Sequence, residues 1–555
     1  MKINIIRDLD KLLMYKKEWN LLLKENDNNI AFLELDWIKL WWSFFNDSHK
    51  MLVYVFKKDE KVIGFAPLME TDKSYYKIIN FIGHKEASYM DLLCLNGYRK
   101  EIIERLIKEL RDIKGRYIIN LHGFSINSSN YKLLTKYLKE KEISTYITGG
   151  DCFYIYTKNK DYDEYIKKRF KSSTRQTMRR KERRLKRLGN LSFESFKDIH
   201  IDQIFKIHDK RWKRKVGNKS FSEGKTEEFF KQLANKNNFT FNTTIDVLCL
   251  NDKVISFIYG FTTRNRYTFY RIAHDDDFSI FSPGEIVLKK KLEKCLENDI
   301  EYFDFGIGYE PYKVKWSDSK VNIKSVTFPT KGIFSKGVYI KKIIRNKVRK
   351  YLKSNKVLYN FKKYKLGKIK YKFTKENLYN LYLKIKKNLR EKELIKLNDN
   401  YMLYEKDLHD INYNKTSDII VRIADVEDLE LIKDITLERK KEIVRKLARK
   451  DICFIAQKGN EIIHYTWIST RNILKIPKSN EKININKKEV SIYESYTNKN
   501  YNTLNNNKSI LQAILMILKK NGFTRCYKME NVKKNTFDSK TISDEFTIID
   551  ANKLM

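Results

Sequence analysis

The chain runs to 555 residues with 42% hydrophobic and 13% aromatic content, which supports several packed cores and excludes global disorder. Only 5 Pro and 19 Gly exclude collagen-like, mucin-like and linker-rich architectures, and 113 Lys+Arg against 70 Asp+Glu leave a net charge of +43. Such an excess predicts attraction to an anionic partner: a membrane surface, an anionic glycan or lipid-linked precursor, or RNA.

Residues 1–150 form the first expected module. The opening M-K-I-N-I-I-R-D-L-D puts charges where a signal peptide needs an apolar core, so a cytoplasmic protein is expected, at most peripheral at the inner membrane face. An aromatic helix, Asp36 to Phe45, leads into strands Leu52 to Phe56 and Val62 to Leu68 around a charged turn. His84 and Asp91 follow strand-like segments. Either they face a groove toward the next module and bind substrate, or they serve packing.

Residues 151–330 form the second module. Lys171 to Arg187 holds nine basic residues and one acid, Glu182; on a helix, Arg175, Arg179, Arg183 and Lys186 make a basic face, either solvated or bound to phosphate groups. A helix from Asp202 to about Arg214 precedes strands Ile245 to Leu250, Val254 to Thr262 and Tyr267 to Ala273. Arg271 and His274, at the end of that last strand, are candidates for binding acceptor anions. Pro283 and Gly284 then open an amphipathic helix with Leu288, Leu292, Cys295 and Leu296 on one face.

The tip of that helix offers unpaired N–H groups and a positive dipole end, suited to a phosphate or a developing oxyanion. Ser282, Gly284 and Glu285 are therefore the expected cofactor cradle, with Gly284 admitting close approach and Ser282 capping the helix. Strand Tyr302 to Phe305 carries Asp304 opposite its two phenylalanines, and a Gly-rich turn leads to Tyr312 and Lys313. A carboxylate to accept a proton, a phenol to protonate a thiolate and an ammonium to hold an oxyanion outline an acyl-transfer site; alternatively Asp304 caps the Gly turn or pairs with Lys313, Tyr312 serves packing and Lys313 is a surface lysine.

Between 331 and 400 there are 23 Lys/Arg against 4 Asp/Glu. Within it, 336–396 reads as one or two basic helices bridging to a third module, and serves as a solvated connector, a membrane-surface element or an RNA-binding one. Residues 401–555 repeat the pattern: a helix beginning near Asp428, then strands Cys453 to Gln457 and Ile462 to Ser469. Three such passes, at a spacing of about 150 to 200 residues, predict duplicated mixed α/β modules and not a solenoid. The six scattered cysteines lack any C-x-x-C and are expected to be reduced and buried. Eight histidines without i, i+4 pairing or H-E-x-x-H predict no metal site.

These residues together resemble the GNAT (Gcn5-related N-acetyltransferase) superfamily. More narrowly, they resemble its tandem-module, CelD-like (cellulose-biosynthesis-type) acetyltransferases, related to the Fem peptidyltransferases. The resemblance rests on Trp37, Trp41, Trp42 and Phe45, V-I-G-F-A-P-L at Val62 to Leu68, Ser88-Tyr89-Met90-Asp91, the run Ser172 to Leu185, Arg211-Trp212, S-P-G-E and F-D-F-G-I-G-Y-E-P-Y-K at Phe303 to Lys313. It implies two packed GNAT-like folds with the acyl-donor site in the second, an acceptor groove between them, acetyl-CoA or another acyl-CoA as donor, and Lys313 at the acyl-transfer site. The expected acceptor is an amine of a glycan, lipid-linked or other cell-envelope or polysaccharide precursor.

The family's R/Q-x-x-G-x-G/A pyrophosphate turn is absent in standard form, and S-P-G-E stands in its place. An aminoacyl-tRNA donor, as in the Fem enzymes, is the less favoured alternative, because 186–239 is too short for their coiled-coil arm. A non-enzymatic membrane-surface binder is the third reading. The last module resembles a single GNAT domain in which Asn506-Asn507-Lys508-Ser509 replaces R-G-x-G, which implies a degenerate, structural or acceptor-recognising role.

Overall fold

The computed structural model describes residues 1–25, 30–195, 200–216, 221, 224–235, 240–354, 378–379, 381–387, 401–411, 418–475, 482–531 and 545–549. Thirteen strands from the first 330 residues form one sheet. They are β1 (Lys2–Ile6), β2 (His49–Lys58), β3 (Lys61–Lys73), β4 (Tyr76–Phe81), β5 (Leu93–Cys94), β6 (Tyr117–Ser125), β7 (Tyr146–Tyr156), β8 (Leu191–Ser195), β9 (Asn242–Leu250), β10 (Lys253–Thr263), β11 (Arg266–His274), β12 (Tyr302–Ile307) and β13 (Ser319–Pro329). Their order is β1-β2-β3-β4-β6-β13-β7-β12-β11-β10-β9-β8, with β5 paired to β3.

The mixed α/β class is as expected. The two halves share a plan: antiparallel β2-β3-β4 and β9-β10-β11, followed by one parallel step, β4 to β6 and β11 to β12. A parallel neighbour needs a crossover, and helices Arg99–Asp112 and Pro283–Glu297 supply it. The charged turns behave as predicted. Asp59-Glu60 and Asn251-Asp252 both have positive φ, which gives the tight two-residue hairpin compatible with strand twist.

The halves are spliced and not merely apposed. β13, the last strand of the second half, lies between β6 and β7 and pairs antiparallel with both. The division expected at 150 thus falls inside β7. There Gly149 has no room for a side chain, since a Cβ would stand 2.3 Å from the Ile323 carbonyl oxygen across the ladder. The aromatic helix, Leu35–Phe45, crosses the same boundary: Trp37 and Phe45 pack on Phe229, and the neighbouring Phe32 packs on Phe261. Burying rings of this size stabilises by about 2–3 kcal/mol each, so the two halves share a core.

Residues 401–549 form a second sheet. Its strands are β14 (Tyr401–Asp407), β15 (Ile420–Ile423), β16 (Ile452–Lys458), β17 (Glu461–Ser469), β20 (Glu489–Thr497), β21 (Arg525–Asn531) and β22 (Thr547–Ile549), with β18 (Ile473–Lys475) and β19 (Lys482–Asn484) paired apart. This domain packs on the second half, where Arg184 donates to the Ala448 carbonyl at 2.8 Å. Of the basic connector, helix Ile333–Ser354 is formed and lies against β6 and β13. The rest of the helical expectation falls mostly outside the described residues. Among the described residues, no helix is long and apolar enough to cross a membrane, and all six cysteines are buried and free.

Candidate active site

β11 and β12 pair over only three rungs, Arg266↔Tyr302 to Thr268↔Asp304. Beyond them β12 pairs with β7 alone, through an irregularity between Asp304 and Ile307 where Gly306 takes φ +74°. A cavity of about 840 Å³ opens in the resulting gap. One wall is the end of β11, Phe269 to His274. The other is the turn from Ile307 to Lys313, and the tip of helix Pro283–Glu297 closes the floor.

That helix is held rigidly. Leu288, Leu292 and Cys295 of its predicted apolar face are buried, and Lys291 and Lys294 reach the buried Asp246 of β9 at 2.6 and 2.8 Å. Its tip differs from expectation in one respect. Ser282 sits at the N-cap in the left-handed region, yet its side chain caps nothing; its hydroxyl instead accepts from Lys181 at 2.8 Å. The tip therefore lacks a side-chain cap, and Pro283 at the first helical position has no N–H to offer. Gly284 packs so closely on β11 that a Cβ would stand 3.2 Å from the His274 ring. An acceptor-bearing ligand such as a phosphate fits that tip, with Lys181 already alongside.

Of the predicted site residues, Ser282, Gly284, Glu285, Arg271, Tyr312 and Lys313 all line this cavity. Lys313, in the short helix Pro311–Trp316, is buried; its ammonium donates to the Ile307 carbonyl at 3.2 Å and the Gly306 carbonyl at 3.5 Å, with Glu310 at 3.7 Å. Burial holds its pKa below the ordinary lysine value despite the nearby Glu310. Tyr312 is pushed the other way, well above the ordinary phenol, by burial and then by Glu310. It stays protonated and can donate. Glu285 is not free to bind a donor molecule: its carboxylate is ion-paired with Lys315, which removes a negative charge from the tip.

Two expectations are corrected. Asp304 is fully buried and lies outside the cavity lining. Its Oδ1 accepts from Tyr89 (2.8 Å), Cys152 (3.0 Å) and the Gly306 amide (2.7 Å), and its Oδ2 from Arg266 (2.9 Å), so it caps the Gly turn and holds a buried cluster away from the cavity. Burial, then the Asp304 charge, pushes Tyr89 and Cys152 well up, which keeps both as donors. Asp91 is likewise enclosed. It accepts from the Leu92 amide, Ser128 and Asn130 at 2.7–2.9 Å, at the start of helix Ser129–Glu140, and burial lifts its pKa to about 6. It anchors a loop and faces no groove.

His84 does face one. A second cavity, of about 640 Å³, lies between the two halves, with Trp41 and Phe45 on one side and His84, Lys85 and Lys342 on another. Tyr270 and Arg271 line both cavities. The Arg271 guanidinium stacks 4.4 Å over the Tyr270 ring and donates to its carbonyl at 2.9 Å, which fixes it at the junction. His84 Nδ1 lies 3.2 Å from His122 Nδ1, so one ring donates and the other accepts.

Burial first, then Lys342 and Lys85, pulls the His84 pKa down to about 4 from the ordinary histidine value of 6.5. A depressed folded-state pKa means stability that is present above about 6.5 and lost as pH falls toward 4. Over that window protonation of His84 therefore weakens the fold, by an amount that solvent reduces because the residue is exposed. Urea midpoints should fall from pH 7 to pH 4.5, and His84→Gln should flatten that fall; an unchanged slope in the variant would refute the assignment.

Lys342 and Tyr270 escaped sequence reasoning. Lys342 comes from the basic connector and is pulled down to about 8 by burial alone. As one of 23 Lys/Arg between 331 and 400 it carried no distinguishing signal. Tyr270 is one of 35 tyrosines; only its place beside Arg271 on a strand end could have marked it.

The C-terminal helix, Leu504–Lys520, offers a contrast. Thr503 caps it by accepting from the Asn506 amide, and Asn507 bonds to Thr497 and Asn502, so its tip is occupied by its own side chains. Among the described residues no group of three or more His, Cys, Asp or Glu could hold a metal ion.

Residues 172–314 match the family described as Acetyltransferase (GNAT) domain. That interval holds β8 to β12, the Pro283 helix and Lys313, which together frame the first cavity. The chain therefore carries a GNAT-type acyltransferase domain. Among solved structures, the chain is similar to a conserved protein of unknown function from Bacteroides thetaiotaomicron (13% identity, 59% of this chain, 100% of that one, TM-score 0.41). It is also similar to FemX (11%, 58%, 97%, 0.41) and to a tandem GNAT protein from the clavulanic acid biosynthesis pathway (8%, 59%, 98%, 0.36). At those scores none bears on function. No curated protein matches the chain.

Proposed function

We propose that the protein transfers an acyl group from an acyl-CoA, with acetyl-CoA the first candidate, to an amine bound in the cavity between the two halves. The observation that carries this is the junction at Tyr270 and Arg271, which open onto both the cavity at the helix tip and the one between the halves. Donor and acceptor would meet there as if in one molecule. The uncapped tip at Gly284, with Lys181 beside it, suits the donor's pyrophosphate. Aromatic walls at Trp41 and Phe45, with Lys85, Arg271 and Lys342 around them, suit an acceptor with a ring and an anionic group, such as an amino sugar of an envelope or polysaccharide precursor.

In this reading the amine attacks the thioester carbonyl directly and loses its proton to solvent, since Asp304 is buried outside the cavity lining. Two of the three Lys313 N–H donors hold backbone carbonyls, and the third remains for the oxyanion. Tyr312 gives its proton to the departing thiolate. The C-terminal domain, with its self-capped helix tip, serves structure or acceptor recognition. A second reading, with aminoacyl-tRNA as donor, is favoured by a groove of about 710 Å³ beside Arg175, Arg179 and Arg183 on helix Ser172–Lys186.

Acetyl-CoA at about 100 times its Kd is expected to stabilise the fold by about 2.7 kcal/mol, read as a rise in Tm. Gly284→Val should abolish that rise while leaving the unliganded Tm within a few degrees, because the added side chain fills the tip beside His274. Stabilisation by charged tRNA and not by any CoA thioester would replace the first reading with the second. No effect of either would leave a binding protein without this chemistry.

A further inference from the structure

Helix Ile333–Ser354 has two unlike faces. The inner one seats it: Ser335 and Tyr339 are buried, and Lys342 lines the cavity between the halves. On the opposite side Ile333, Ile340, Ile344 and Val348 fall within one narrow stripe at 100° per residue, and all four are half to three-quarters exposed (51–76%). Phe334, 66% exposed, sits beside the stripe, and Tyr75, also 66% exposed, lies at the adjacent β3–β4 hairpin under Lys341. Folded proteins rarely leave a row of aliphatic side chains in water without a partner for it.

The charges along the helix are all of one sign. It contains no acidic residue, and Lys336, Lys341, Arg345, Lys347 and Arg349 are exposed and form no ion pair among the described residues. Lys336 and Lys347 flank one side of the stripe, Lys341 and Arg345 the other. We infer that this helix is an interfacial anchor that lies flat on an anionic lipid surface, its aliphatic stripe among the acyl chains and its lysines and arginines at the headgroups. The charge pattern selects that occupant. A second copy of this chain would bring two positive faces together, and RNA would neutralise the lysines but leave Ile333, Ile340, Ile344 and Val348 against a polar backbone. A single helix of this kind binds reversibly and does not cross the bilayer.

The test uses the full-length protein and co-sedimentation with vesicles, and it is independent of any acyl-transfer activity. The protein should pellet with phosphatidylcholine vesicles containing about 30% phosphatidylglycerol at low salt, fail to pellet with phosphatidylcholine alone, and be released by about 0.5 M NaCl. The double variant Ile344→Asp, Val348→Asp should weaken vesicle binding at least about tenfold with an unchanged Tm, since both side chains are exposed. Replacing Lys336, Lys341 and Lys347 by Gln should have a similar effect and reduce the salt dependence. Absence of pelleting by the wild type, or full pelleting by the aspartate variant, overturns the proposal. So does a concentration-dependent dimer that the aspartate variant dissolves, or an RNA oligonucleotide that binds where vesicles do not.

Discussion

Lys313→Ala is expected to lower kcat for acyl transfer by about 10²–10³-fold while the donor KM changes little, the loss typical of removing one donor to a developing oxyanion. The split follows from the geometry. Lys313 lies on the wall of the first cavity formed by the turn after β12 and is held by the Gly306 and Ile307 carbonyls, whereas the phosphate-binding features belong to the helix tip at Gly284. In a site with little water, the same ammonium acts more strongly on a forming negative charge than it would at the surface. Its pKa is lowered by that same burial, so the charged form is lost earlier than for a free lysine as pH rises. Activity should therefore decline on the alkaline side below the ordinary lysine range, and Lys313→Arg should move that limb upward while restoring part of kcat. Steady-state kinetics across pH decide it: a Lys313→Ala enzyme with wild-type kcat ends the assignment.

The second large effect is on stability. Asp304→Ala is expected to destabilise the protein by about 3 kcal/mol, the low end for breaking a buried pair, because the Arg266 side chain keeps 30% exposure. Removing the carboxylate also strips an acceptor from Tyr89 and Cys152. Tyr89 comes from the first half, so this cluster ties one half to the other as well as closing β12 onto β7. Tyr89→Phe should cost about 1 kcal/mol by itself, and the double variant should fall short of the sum because both changes remove one shared bond. Urea unfolding measures all three. Asp304→Asn that keeps wild-type stability and loses most of kcat would return Asp304 to catalysis.

The contrast between these two residues shows how far the sequence could be read. Both stand in one motif, nine positions apart, on either side of the Gly306–Gly308 turn. Chain order put Lys313 after a Gly-rich turn, and the strand alternation set Asp304 opposite Phe303 and Phe305. Alternation assigns a side chain to a face of the sheet; it does not say what covers that face. Here the cover includes Tyr89, 215 residues away. The same limit left two readings open for Asp91, and the packing one holds, since Ser128 and Asn130 approach it from a helix start nearly forty residues on. Ser282 was placed correctly at its helix tip, but a lysine from the helix Ser172–Lys186 took the hydroxyl that capping rules assign to the backbone.

The sequence by itself determined what local periodicity and turn chemistry control: the alternating α and β segments, the hairpin turns with positive φ, the helix opened by Pro283 and Gly284, and the concentration of charge between 331 and 400. Tertiary structure alone decided the splicing of β13 between β6 and β7, the sharing of Tyr270 and Arg271 by two cavities, and the delivery of Lys342 from the connector into the second. Those features are pairings between distant strands and faces. Neighbouring residues set the shape of a segment, whereas its partners are fixed by which apolar surfaces and ladder edges remain to be satisfied when the whole chain packs.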